Sequence, residues 1–270
     1  MINNIYYKKH KLIKKYGQNF LNNEYIINLI ISSINPKKNQ NFIEIGPGFG
    51  SLTKPILDIV KNIIAIEIDK NLVLFLKKNL NCNKNLKLIN NNVMKINFFK
   101  LSKKIGKPIR IFGNLPYNIS NTLVLNLIKY IDIIQDMHFM LQKELVKKII
   151  AKPDNKYYCR LSVIMQYFFK IVKIFKVPSF YFKPKPKVDS VFVRFILNNK
   201  PIIKVNNIKN LFFVTKLTFN NRRKMICNSL FKIFNLKEFE SLGINYNLRA
   251  ENLSITDYCK LSNYLTLVKT

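Results

Sequence analysis

The run NFIEIGPGFGS, residues 41–51, decides the fold. Its apolar start has no helical period and reads as a buried strand that feeds a glycine-rich turn. SLTKPILDIV (51–60) follows as a helix, with Pro55 tolerated near the first turn. Working outward, NIIAIEI (62–68) is a second buried strand, and Asp69 caps a helix over 70–79. LKLIN (86–90), IRIFG (109–113) and IQDMHFML (134–141) read as further strands, with a helix near 121–131. EYIINLIISSI (24–34) carries apolar residues at helical spacing. Strands alternating with helices predict a parallel sheet covered on both faces. The rhythm changes after 142. KELVKKIIA reads as a helix, 160–169 as helix or strand, and SVFVRFIL (190–197) as a late strand. Helices are expected at 207–218, 221–234 and 255–267. The division expected is therefore an α/β body over 1–200, whose first 20 residues form a basic arm, and a small all-helical domain over 201–270.

Lys and Arg total 46 against 14 Asp and Glu, a formal charge of +32. Nucleic acid is the expected partner of such a charge, because clustered cations release its condensed counterions. Codon bias accounts for part of the charge. The chain has 40 Lys, 37 Asn and only three Ala, the mark of drift towards A+T-rich codons. No apolar run approaches the roughly 20 residues of a membrane helix, and no apolar segment follows Lys8, Lys9, Lys11, Lys14 and Lys15 as in a secretory signal. The cysteines (82, 159, 227, 259) are scattered and only two His are present. Free thiols in the cytoplasm are expected, with no membrane and no metal. His138, inside an apolar strand, reads as a core histidine.

The turn itself has chemistry. Glycines allow tight turning and close approach of backbone to a ligand, and ligands bind at the carboxyl ends of parallel strands. The spacing is GxGxG, with Ser51 where a dinucleotide turn has its third glycine, and no Lys-Ser/Thr pair makes a phosphate loop. The next strand ends in Glu67, 21 residues after Gly46, where an acid grips ribose hydroxyls. This pattern fits a nucleoside cofactor without pyrophosphate, of which S-adenosylmethionine is the commonest.

Asn114-Leu115-Pro116-Tyr117 stands at the end of another strand, on the same edge. An adenine N6 amine is a poor nucleophile, because its lone pair is delocalised into the ring. Two acceptors on its hydrogens restore nucleophilic character, and the Asn114 side-chain oxygen and Leu115 carbonyl could supply them. Pro116 fixes the backbone that presents that carbonyl. Tyr117 would stack on a base taken out of its helix.

With these residues in place, the chain resembles the small-subunit ribosomal RNA adenine dimethyltransferases, the family whose loss gives kasugamycin resistance. GQNFL (17–21), EIGPGFGSLT (44–53), GNLPYNIS (113–120), DMHFMLQKE (136–144), RLSV (160–163), FKPKPKVDSV (182–191), NNRRK (220–224) and RAEN (249–252) carry the resemblance in order over nearly the whole chain. It implies a Rossmann-like methyltransferase domain with a small C-terminal helical domain. It implies dimethylation of N6 on two adjacent adenosines in the 3′-terminal hairpin loop of 16S rRNA, within the immature small subunit, by a monomer. It further implies S-adenosylmethionine held by Asn19, Leu21, Gly46, Glu67 and Asn114, with a contact at position 92, and Phe182 stacking on the target base opposite Tyr117. Position 92 departs from the family: Asn92 stands where Asp is usual. Asn keeps an acceptor oxygen for the cofactor's adenine amine but loses the charge, so weaker cofactor binding is expected. A DNA or large-subunit adenine methyltransferase is the alternative enzyme. A biogenesis factor with methylation secondary is the alternative of another class.

Between its prolines, FKPKPKVDS holds Lys183, Lys185 and Lys187 on an extended loop, positioned for phosphates. Arg222, Arg223 and Lys224 are expected at the start of a helix, where cations oppose the dipole. An RNA backbone would explain them. Scattered lysines such as Lys77 and Lys84 are expected to contribute little.

Overall fold

A computed structural model describes residues 6–7, 10–80, 85–198 and 200–268. The chain divides into two compact units, Met1–Lys143 with Val172–Ile196, and Glu144–Ile171 with Leu197–Thr270. The sequence pattern points to a single boundary at 200; the chain instead enters the second unit twice.

In the first unit, two short strands, β1 (Tyr6–Tyr7) and β2 (His10–Lys11), pair near the start, and β3 (Phe20–Leu21) follows. Helix α1 (Glu24–Ile34) comes next. Asn23 caps it by accepting from the Ile26 N–H, and Ile26, Ile30 and Ile34 form its buried stripe. The alternating part then runs β4 (Asn41–Ile45), α2 (Thr53–Leu57), β5 (Asn62–Glu67), α3 (Lys70–Leu80), β6 (Leu86–Asn90), α4 (Phe98–Ile105), β7 (Ile109–Asn114), α5 (Ser120–Leu127) and β8 (Ile134–Gln142). Pro55 sits in the first turn of α2, as its missing N–H requires. Helix α6 (Lys143–Ile149) and α7 (Arg160–Phe168) precede β9 (Phe169–Val177), β10 (Phe182–Lys183) and β11 (Ser190–Leu197).

One seven-stranded sheet has the order β6-β5-β4-β7-β8-β11-β9. Strands β4 to β8 are parallel to their partners, while β11 runs antiparallel to β8, with Ser190 opposite Gln142. β9 is a strand the sequence pattern does not single out. Its lysines at 170, 173 and 176 interrupt the apolar run, as suits an edge strand.

The opposite end of the sheet from Asn114 carries an ion cluster around the buried Asp136. Arg110 Nε donates to Asp136 Oδ1 at 2.7 Å, and its Nη2 donates to the Ile34 carbonyl, tying the end of α1 to β7. Arg194 donates to Asp136 from β11. Burial alone would raise the Asp136 carboxyl, but the hydrogen bonds and charges of the two arginines hold it below its ordinary value. His138 is buried as expected, and burial lowers it to about 4 despite Asp136. Neither ring nitrogen has a hydrogen-bond partner among the described residues.

The second unit is helical: α7, α8 (Ile208–Asn220), α9 (Ile226–Leu230), α10 (Leu236–Ser241) and α11 (Ile255–Val268), with most of α6. Its core includes Leu211, Val214, Leu230, Phe239, Leu261 and Leu265. Tyr158 donates to the Leu253 carbonyl at 3.0 Å, which ties the loop before α7 to the C-terminal part. This explains why residues 144–171 belong here. The helix expected over 221–234 is corrected. Residues 221–224 form a turn, and Asn235 with Glu238 starts a separate α10 through a capping box.

Candidate active site

The carboxyl edge of the sheet presents, in strand order, the ends of β6, β5, β4 and β7. Asn90–Asn92, Glu67, Gly46 and Asn114 therefore stand side by side. A cavity of about 440 Å³ lies over this edge, lined by Asn19, Leu21, Gly46, Glu67, Asn92, Asn114, Leu115 and Pro116 among others. Its size suits a small-molecule cofactor. The structure thus brings together every residue the resemblance assigns to the cofactor.

Two glycines make the edge possible. Gly48 has φ +59°, and a Cβ there would meet the Phe20 ring at 2.9 Å. A Cβ at Gly113 would sit 2.3 Å from the Ile45 carbonyl oxygen, so only glycine lets β7 approach β4 before Asn114. Glu67 fixes the turn from the next strand. Its two carboxylate oxygens accept from the Gly48 N–H (3.1 Å) and the Asp69 N–H (3.0 Å), which uses part of its acceptor capacity. Burial raises its pKa against those hydrogen bonds. Glu44 also lines the cavity and is wholly buried. Burial pushes it up to about 8, Thr53 pulls the other way, and the neighbouring Glu67 charge adds to the rise. Its Oε2 has no hydrogen-bond partner among the described residues.

The segment GQNFL closes the cavity from the N-terminal side. Gln18 Nε2 donates to Asp69 Oδ2 at 2.8 Å, and the Phe20 ring meets Phe49 edge-on at 4.7 Å. β3 pairs with β10, setting Leu21 opposite Phe182. The Asn19 carbonyl accepts from Asn114 Nδ2 at 2.6 Å. A carbonyl can only accept, so this bond fixes the Asn114 amide with its oxygen at the other end. Beside it, the Leu115 N–H donates to the Met140 carbonyl at 3.3 Å.

Tyr117 and Phe182 do not line the cavity. Tyr117 is half-buried, its hydroxyl 2.7 Å from Ser190 Oγ, and burial raises its pKa. Phe182 is 1% exposed and lies in the core with Leu21, Ile26 and Phe192. Its expected stacking face is therefore covered, because the β3–β10 pairing turns the ring inward. Its strand pairs instead with β3, the two residues that directly follow Asn19. Asn92 caps a short 3₁₀ turn, its Oδ1 accepting from the Met94 N–H at 2.9 Å. The oxygen expected to face the cofactor thus has one of its two lone pairs engaged.

Lys183, Lys185 and Lys187 are exposed on their loop. Arg222 is not free: its Nε donates to Glu251 at 2.8 Å and its Nη2 to the Lys156 carbonyl. Arg222, Arg223 and Lys224 follow the end of α8 rather than starting a helix, so they complement a dipole and do not oppose it. Arg223 and Lys224 are exposed. Of the N-terminal lysines, Lys8 and Lys9 lie outside the described residues, as does Lys84.

Residues 9–267 match the family described as ribosomal RNA adenine dimethylase. The chain belongs to that family. It is 49% identical over 260 residues to the ribosomal RNA small subunit methyltransferase A of Wigglesworthia glossinidia brevipalpis, covering 96% of this chain and all of the relative. The protein of the same name from Blochmanniella floridana is 50% identical, covering 96% of each chain. Among solved structures, a dimethyladenosine transferase from Plasmodium falciparum superposes with a TM-score of 0.77 at 26% identity, covering 90% of this chain and 95% of that one. The 23S rRNA methyltransferase ErmE shares the fold, with a TM-score of 0.71 at 21% identity, covering 92% of this chain and 99% of that one. The fold is thus that of S-adenosylmethionine-dependent methyltransferases, and the activity of this adenine dimethylase is methylation of ribosomal RNA with S-adenosylmethionine as cofactor.

The cavity fits that cofactor. Gly46, at φ +70°, brings bare backbone to the cavity, Glu67 presents an acid one strand away, and Glu44 leaves a buried oxygen without a partner among the described residues. Among the described residues no helix is long and apolar enough to cross a membrane, and no group of three His, Cys, Asp or Glu could hold a metal.

Proposed function

We propose that this chain dimethylates N6 of two adjacent adenosines in the 3′-terminal hairpin loop of 16S rRNA, acting as a monomer on the immature small subunit in the cytoplasm. The names of its relatives, at 42–50% identity over nearly the full chain, support the small subunit over the large. The observation that carries the chemistry is the fixed Asn114 amide, whose Nδ2 is held by the Asn19 carbonyl.

S-adenosylmethionine supplies an electrophilic methyl group on a sulfonium. The protein's part is orientation. Asn114 Oδ1 and the Leu115 carbonyl accept the two hydrogens of the target amine and draw its lone pair out of the ring. Because Asn114 is locked before the base arrives, little reorganisation is needed during the reaction. Pro116 sets the direction of the Leu115 carbonyl. Tyr117, braced by Ser190, offers its ring to the flipped base. The methylated nitrogen is cationic and loses its proton readily, so a strong general base is unnecessary. Phe182 and Leu21 support this end through the β3–β10 pair. Glu67 takes the ribose hydroxyls with its remaining lone pairs, while Asn19, Leu21, Gly46 and Asn92 complete the cofactor site. Lys183, Lys185 and Lys187, with Arg223 and Lys224, meet RNA phosphates; Arg222 chiefly braces its own unit against Glu251.

The test is methyl transfer from labelled cofactor to immature small subunits lacking the modification, with large subunits as a parallel substrate, followed by nucleoside analysis. N6,N6-dimethyladenosine confined to the small-subunit RNA is expected. Its absence with correctly folded protein, or its appearance in large-subunit RNA alone, would contradict the proposal.

A further inference from the structure

The cavity has two ends, and the sheet tells which is which. The reacting amine belongs at Asn114, at the end of β7. From β7 the edge passes β4 and β5 to reach β6. At about 4.8 Å per strand this spans roughly 14 Å, close to the length of an extended nucleoside with an amino-acid tail. The methyl group must lie near Asn114, so the adenine lies at the far end. That end is lined by Ile68, Asn91, Asn92 and Val93. Ile68 and Val93 are apolar and suit the faces of a base.

The hydrogen-bonding group at that end is set by local structure. Asn92 Oδ1 accepts from the Met94 N–H at 2.9 Å, the cap of the turn Val93–Lys95. Turning the amide over would set Nδ2 against that N–H, two donors face to face. The cap therefore fixes the amide: Oδ1 keeps one lone pair beside the cap, and the end left without a partner among the described residues is Nδ2, with two hydrogens to donate. The neighbouring amides are fixed too. Asn91 Oδ1 accepts from the Asn92 N–H, and Asn90 Nδ2 donates to the carbonyls of Glu67 and Ile68. No carboxylate is among the residues lining this end.

We propose that Asn92 reads the cofactor's base chiefly as a hydrogen-bond donor, giving Nδ2 to a ring nitrogen, so that this chain selects adenine by its amine only weakly, through the one lone pair Oδ1 keeps beside the cap. The 6-amino group is itself a donor and gains nothing from Nδ2. A 6-oxo base offers an acceptor there instead. The inference rests on the cofactor assignment above and concerns only which edge of the base is read.

The test uses calorimetric titration of two ligands, S-adenosylhomocysteine and its 6-oxo counterpart S-inosylhomocysteine, into the wild-type protein and Asn92→Asp. Asp keeps an oxygen for the Met94 cap and offers a second one to the base, so it should fold; the thermal midpoint checks this. For the wild type the two dissociation constants should agree within about threefold. In Asn92→Asp the adenosine ligand should tighten and the inosine ligand weaken, moving their ratio by on the order of tenfold or more. A wild type that already prefers the adenosine ligand by tenfold, or an Asp variant that leaves the ratio unmoved, would overturn the inference while leaving the cofactor in place. Failure of folded wild-type protein to bind S-adenosylhomocysteine at all would instead overturn the cofactor assignment.

Discussion

Asn114 and Asn92 stand at opposite ends of one sheet edge, and each has half of its amide held by the backbone. At Asn114 the nitrogen is held, by the Asn19 carbonyl, and the oxygen is left to accept. At Asn92 the oxygen is held, by the Met94 N–H, and the nitrogen is left to donate. The same side chain thus leaves its acceptor end without a partner at the reacting end and its donor end without one at the nucleoside end, among the described residues. Residue type alone does not fix what an asparagine can recognise; the neighbouring backbone group does.

If the edge divides in this way, damage at one end should spare the other. Tyr117→Ala removes the ring at the reacting end. Methyl transfer should fall on the order of 100-fold, while affinities for S-adenosylhomocysteine and for the RNA stay within about threefold. Tyr117→Phe keeps the ring and loses only the bond to Ser190, so it should retain most activity. An equal loss of cofactor affinity in the Ala variant would break the division.

Between the two ends lies Glu44, held at about 8 in the folded protein against an ordinary 4.5. The folded state keeps a proton that the unfolded chain releases between those values. Its contribution to stability is therefore present at low pH and lost as pH rises through about 8. Glu44→Gln imitates the protonated acid. It should flatten the fall in thermal midpoint between pH 5 and pH 8, leaving the variant more stable than wild type at pH 8 by at least about 1 kcal/mol. Parallel curves for the two proteins would show that Glu44 is ionised in the apo protein.

The smallest effects are expected away from the edge. Neutralising Lys183, Lys185 and Lys187 together should lower the salt dependence of RNA binding by about two counterions. Arg222→Gln should leave that slope nearly unchanged and lower the stability of the helical unit, since Glu251 and the Lys156 carbonyl lose their partner. The reverse pattern would make Arg222 an RNA contact.

Much of this edge was legible in the sequence. The glycine turn after one strand, Glu67 after the next and NLPY after a third mark one sheet edge in the sequence itself. Helix α1 was legible because its isoleucines repeat at one face. What escaped were features set by pairing between distant segments. β9 reads poorly because its lysines break the apolar run, and residues 144–171 join the helical unit through contacts such as Tyr158 to Leu253. The FKPKPK segment gave no sign that β3 would cover Phe182. Nor could an Asn at 92 show which end of its amide a local cap would take.

The most direct test of the account is a single-turnover measurement on Asn114→Ala at saturating cofactor, with RNA affinity and thermal midpoint recorded alongside. The fixed acceptor predicts transfer at least about 100-fold slower than wild type, with RNA affinity within about threefold. A folded variant that still methylates within tenfold of the wild-type rate would contradict it.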